Sequence, residues 1–222
     1  MNQELANVIK IYATQRDIDL SNYLIGKYKN TLISILVDLL TMYITDKNSS
    51  TIREFLTVTL AGYTHQQKKI GYNGYKQDSI GKPIKCEAKP KNVDTHSHPL
   101  RKLNGGGNFT DYTFARLEKD KRENPNILIS GFINGKLIYI LEFPFNYSKF
   151  TTQLKERLMY RFKDGKDKTG QFLRSANFHY KHFINCPNLK FVYLSSKVEL
   201  QKYKPYIVKG FYEFLEGKAQ NE

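Results

Sequence analysis

The chain is poor in cysteine, in acidic residues and in long apolar runs. Cys86 and Cys186 are its only cysteines, too few for a disulfide framework and too widely separated for a zinc knuckle. Two reduced thiols in or near the core are the expectation. No stretch supplies the roughly 20 apolar residues of a membrane-spanning helix. The nearest, TLISILVDLLTMYI, is shorter and interrupted by Asp38, which suits a buried core helix. The first residues, MNQELANVIKIYATQRD, lack the basic, apolar, small order of a secretion signal, so a cytoplasmic protein without a membrane part is expected. Asp and Glu number 21 against 35 Lys and Arg, a formal net charge of +14. A field of that sign draws in polyanions. It would suit an anionic membrane surface too, but nucleic acid is the leading partner. There is no internal repeat and no low-complexity tail, and a length of 222 residues favours one compact domain.

What is present is a helical front followed by a mixed remainder. Leu5, Val8, Ile9 and Tyr12 recur at helical spacing, a second helix is expected near 31–44, and a third carries Ile52, Phe55, Leu56, Leu60 and Tyr63. From Gly71 short runs separated by turn residues predict strands: GYNGYKQ, PIKCEAK ending at Pro90, NILISGFI and KLIYILEF. Asn134-Gly135 between the last two is a strong hairpin signal. TDYTFARLEKDKREN predicts a helix capped by Thr110 or Asp111, and another runs from about Ser148 to Phe162. NLKFVYLSS predicts a buried strand, with Ser196 and Glu199 forming a capping box for a last helix. The expected fold class is α/β (α+β), a central mixed β-sheet flanked by helices.

The chemistry concentrates in DSIGKPIKCEAKPKN (78–92). In a strand, residues two apart share a face, so Lys85, Glu87 and Lys89 point one way while Ile84, Cys86 and Ala88 point into the core. An antiparallel return through SIGK would bring the Asp78 carboxylate beside Glu87. Two acids and an amine at one place suit phosphodiester hydrolysis: Mg²⁺ binds through one or two carboxylates and activates water, and an ammonium group orients that water or offsets charge on the phosphate. A solvated, salt-bridging strand face is the plainer alternative. Glu-x-Lys alone is a weak signal, since Glu216-Gly217-Lys218 repeats it near the tail. Context distinguishes Glu87: a strand, an apolar opposite face and a preceding acid.

Asp78, the short hairpin and Glu87-Ala88-Lys89 resemble the PD-(D/E)xK nuclease superfamily, and GYNGYKQDSIGKPIKCEAKPKN is most similar to a type II restriction endonuclease. The resemblance implies Mg²⁺-dependent cleavage of double-stranded DNA by a homodimer, with no nucleotide cofactor. It makes Asp78 and Glu87 metal ligands, the Ala88 carbonyl a further ligand and Lys89 the catalytic lysine. The close match covers only this stretch; the expected organisation of the whole is a single nuclease domain, 1–222, with a helical part (1–50), a catalytic core (51–145) and a remaining core and DNA-contacting part (146–222). Two features depart from the pattern: Gln77 stands where proline is common, and Asn73 stands where an acid would be expected. A structure-specific or repair nuclease of the same fold, or a non-catalytic nucleic-acid-binding protein, are the alternatives.

Glu54 is a candidate further acid, although Thr51-Ile52-Arg53-Glu54 is equally a capping box. His96 and His98 invite a zinc reading, but no third ligand cluster follows. LNGGGNFTDY lacks the lysine of a nucleotide-binding loop and is expected either to close around DNA as a flexible loop or to serve as a linker. FLRSANFHYKHF interleaves basic, amide and aromatic groups that suit DNA contact, or forms a two-sided strand with an aromatic core face. The expected DNA-contacting set is Lys68, Lys91, Lys102, Asn104, Gly106, Asn108, Arg174, Asn177, His179 and Lys181.

Overall fold

A computed structural model describes residues 2–45, 50–66, 71–95 and 100–220. Helices α1 (Gln3–Thr14), α2 (Asp17–Leu24), α3 (Lys29–Thr45) and α4 (Thr51–Leu60) lead. There follow β1 (Thr64–His65), β2 (Gly74–Gln77), β3 (Pro83–Val93), β4 (Gly107–Tyr112), α5 (Phe114–Glu123), β5 (Asn126–Ile133) and β6 (Lys136–Pro144). The chain continues through α6 (Ser148–Arg161), β7 (Leu173–Phe178), β8 (Lys190–Leu194), α7 (Lys197–Lys202) and α8 (Lys209–Glu216). α1 begins where the Asn2 side chain accepts from the Leu5 amide, which satisfies a donor that the first turn leaves free. The sequence gives no warning of α2.

The central sheet has six strands in the order β1-β2-β3-β5-β6-β8. β3 and β5 are parallel and the other neighbours antiparallel, so the expected mixed sheet flanked by helices is what forms. A parallel pair needs a crossover, and β4 with α5 supplies it. β4 also pairs with β7 as a separate two-stranded sheet. On one face of the central sheet, Leu5, Ile9, Ile35 and Leu56 from the leading helices pack on Phe132, Leu137 and Ile140. On the other, Ile127, Ile129, Leu141 and Phe143 meet Phe109, Phe150, Phe178 and Phe211. Both cysteines are buried and unpaired. Among the described residues no helix is long and apolar enough to cross a membrane.

The β5–β6 hairpin turns at Asn134 and Gly135, both at positive φ, as that dipeptide demands. Four expectations need correction. β3 does not stop at Pro90 but runs to Val93. The Cys86 carbonyl and Ala88 amide are directed at Asn73, on the β2 side, so alternation turns Pro90's missing donor to that side as well. β2 pairing has ended there, and proline is tolerated where no ladder bond is owed. The helix expected from Thr110 starts instead after Thr113, whose side chain caps the Arg116 amide, because residues 107–112 pair with β7. The segment after Ser196 is two helices with a short 3-10 turn between them. α3, expected to be buried, leaves Ile33, Leu36, Val37, Leu40 and Tyr43 largely exposed.

Candidate active site

The site is built on the middle of β3. Cys86 and Ala88 pack beneath α4 with Val58, Tyr63 and Leu128. Burial holds the Cys86 thiol well above its usual range, and the nearby Glu87 and Glu142 add to the shift. Strand alternation therefore sends Glu87 and Lys89 to the opposite face. Glu87 is only 8% exposed, and Lys89 Nζ lies 2.7 Å from its Oε1. The same ammonium sits 4.5 Å from the centre of the Phe109 ring, a cation–π arrangement. Gly107 on β4 makes this possible: a Cβ there would stand 2.9 Å from Lys89 Cβ and 2.8 Å from the Phe178 ring. The second carboxylate oxygen, Glu87 Oε2, is buried without any hydrogen-bond partner. A buried charged acceptor without a partner is costly, so this atom is where a ligand would gain most.

Asp78 does not join this pair. The β2–β3 register places Gly74 opposite Cys86 and Gln77 opposite Pro83, so the strands turn at Asp78 itself. Its Oδ1 accepts from the amides of Ile80 at 3.0 Å and Lys82 at 2.8 Å, the use to which turns commonly put aspartate. Asn73 is the residue level with Glu87, and at about 3.3 Å per residue Asp78 stands roughly 16 Å further along the hairpin. The expected convergence of Asp78 with Glu87 is corrected on that geometry.

Asn73 fills the place instead. Its Oδ1 accepts from the Ala88 amide at 2.8 Å, and its Nδ2 donates to Glu54 Oε2 at 3.2 Å. Glu54, in the first turn of α4, is thereby tied to the Glu87-Ala88-Lys89 segment. The cap of α4 is Ser50, which makes no side-chain capping bond. The Ala88 carbonyl shares its amide's direction, toward this edge. Among the described residues no three His, Cys, Asp or Glu side chains converge as a ready metal cage. A hard cation held by one or two carboxylates, water and substrate oxygens does not need such a cage. Glu87 Oε2 offers one such carboxylate, and Glu54, on the α4 side, reaches the edge of β3 at Ala88 through Asn73.

The remaining expected contact residues divide. Lys68 lies outside the described residues, as do His96 and His98. Lys91 is half-buried with Nζ 3.4 Å from Asn104 Oδ1, and burial lowers its pKa. Asn104 also accepts from the Gly106 amide. Gly106 is buried against the Phe178 carbonyl, so the glycine run is a packed entry to β4 and the expected flexible loop is corrected. Asn108 Nδ2 donates to Ser175 Oγ, which in turn donates to Asn177 Oδ1; these groups line the outer face of the β4–β7 pair. Lys102, Arg174, Asn177 and Lys181 are exposed. The His179 and His182 rings lie 4.0 Å apart, with His182 Nδ1 accepting from the His179 amide. Burial first, then His179 and Lys149, brings His182 down to about 4. Burial, Lys181 and Arg157 lower His179.

Two clusters escape a reading by sequence. On the Glu87 face, Asp120 is 1% exposed and receives Arg116 Nε, the Tyr72 hydroxyl and, at 3.4 Å, the Tyr112 hydroxyl. Burial raises its carboxyl, Arg116 opposes this and Glu87 adds to it, so the cluster shares Glu87's field. The Arg116–Asp120 helical spacing was the available signal. On the α4 face, Glu142 accepts from Tyr63 and Asn126 and pairs with Lys76, beside a cavity of about 240 Å³. No family model matches the chain, and no curated protein is significantly similar to it.

Proposed function

We propose that the protein is a Mg²⁺-dependent endonuclease that cleaves double-stranded DNA as a homodimer, in the manner of a type II restriction enzyme with a PD-(D/E)xK core. The observation that carries the reading is the pairing of one Glu87 oxygen with Lys89 while the other is buried and unpartnered. Glu87, Glu54 and the Ala88 carbonyl would hold Mg²⁺, which supplies Lewis-acid polarisation of a phosphate oxygen and a more acidic bound water. Lys89, fixed between Glu87 and the Phe109 face, aligns the attacking water and offsets negative charge growing on the phosphate. Asn73 is a positioning residue that sets Glu54 and the Ala88 peptide. Asp78 has no part in this version of the site.

The test is incubation of phage DNA with and without Mg²⁺. Wild type is expected to give discrete fragments only with the metal, and Glu87→Ala and Lys89→Ala to lose at least about a hundredfold in rate, as removal of groups acting on the transition state does. Asp78→Ala should stay within a few-fold of wild type. Asn73 where an acid would complete the set favours a second reading, a basic nucleic-acid-binding protein without catalysis. Under it DNA is retained, no fragment appears with Mg²⁺, and Lys89→Ala changes nothing.

A further inference from the structure

We propose that two copies of the chain associate through the outward face of α3, each α3 packed antiparallel on the other. The proposal rests on the homodimer of the nuclease reading and specifies its interface: absence of cleavage leaves the interface standing, a dimer that forms without α3 leaves the cleavage standing, and a single-chain mass removes the interface and the homodimer together.

α3 has two apolar stripes. Ile35 is buried with Leu39 and Met42 packed beside it, all turned to the core shared with α1 and α4. Ile33, Leu36, Leu40 and Tyr43, at steps of three, four and three residues, form the other, and they are 48%, 55%, 48% and 69% exposed. Leu32 and Val37 flank them, also exposed. Such spacing is the seam of a helix that packs against a second helix. With about 150–200 Å² available to each large side chain, these six expose on the order of 550 Å² per copy, near the upper end of patches on monomers. Ile25 and Tyr28, both exposed just ahead of α3, extend the patch toward the roughly 800 Å² per partner of a stable interface.

Charge selects the occupant. From Asn30 to Thr45 the only charged residue is Asp38, and it is held to the side by the Asn2 amide at 2.6 Å. A stripe without charge offers nothing to nucleic acid or an anionic surface, whereas a second identical stripe meets it without repulsion. Lys29 at the first turn stands at the positive end of its own helix dipole. Antiparallel pairing sets it at the negative end of the other. A two-fold axis midway along the seam places Leu36 against the second copy's Leu40, and Ile33 against its Tyr43.

Light scattering on the eluting full-length chain tests this. Wild type should have twice the 25.9 kDa chain mass at micromolar concentration. Leu36→Glu should run at the single-chain mass with an unchanged circular dichroism spectrum, and Leu36→Glu combined with Leu40→Lys should regain the double mass, since the new charges then face each other across the axis. Should Leu36→Glu lose its fold, oxidation of a mixture of Leu36→Cys and Leu40→Cys chains reads the same contact: a cross-linked pair is expected. Wild type at single-chain mass at high micromolar concentration, a Leu36→Glu chain still at double mass, or no cross-link in the cysteine mixture would each overturn the proposal.

Discussion

At the scale of single residues the Glu87–Lys89 pair bears on stability as well as on the proposed cleavage. Both side chains are mostly buried, so their attraction is little screened, and removing either partner strands the other charge. Lys89→Met should therefore destabilise the fold by about 3 kcal/mol, the cost of breaking a buried ion pair from one side, measured by urea unfolding. That variant removes the ammonium from Glu87 Oε1, beside an Oε2 that already has no partner. Mg²⁺ should then raise its melting temperature more than it raises that of wild type, because a ligand bound only by the native state stabilises it by mass action. A Glu87→Ala chain should lose most of the Mg²⁺-dependent rise. Equal melting shifts in all three chains would remove Glu87 from any metal site. Asn73 works by hydrogen bonds alone: one side chain joins the backbone of β3 to a carboxylate on α4, and no pattern of charge in the sequence advertises that.

At the scale of elements, what was legible followed local chemistry. Asn134-Gly135 requires positive φ whatever surrounds it, and the alternation through Ile84–Lys89 is a property of the strand itself, so both could be read directly. The glycine run 105–107 was not legible, because its reason is long-range. Its backbone threads between Lys89, Phe178 and Phe211 where no Cβ fits, and a sequence shows only that side chains are missing. Asp78 misled for a related reason: its turn closes within five residues, Asp78 to Lys82, and the length of a hairpin cannot be read from the charges at its ends. Gly107→Ala tests the packing reading. The new methyl must push Lys89 or Phe178 aside, so a loss of about 1–3 kcal/mol, the range for overpacking a core, should appear in thermal unfolding together with reduced cleavage. A Gly107→Ala chain as stable and active as wild type would mean that β4 does not fix the lysine.

At the scale of the whole molecule, an excess of 14 positive charges surrounds a site whose own charges are largely balanced. Lys89 is paired with Glu87, Lys85 with Glu123 and Lys76 with Glu142, so the net field must come from elsewhere. Lys102, Arg174 and Lys181 are exposed, the last two on or just beyond β7. β7 is tied through β4 to the Lys89 side of the sheet. If DNA lies along that face, these cations displace counterions from phosphates, and affinity falls with salt at a slope of about 0.9 per phosphate neutralised on duplex DNA. Changing all three to Gln should flatten the slope of log Kd against log salt by up to about 2.7, read by fluorescence anisotropy on a short duplex. Lys85→Gln, which removes a charge already neutralised by Glu123 at 2.6 Å, should change the slope much less. Equal slopes for the triple variant and wild type would move the DNA path off the β4–β7 face without bearing on the role proposed for Glu87.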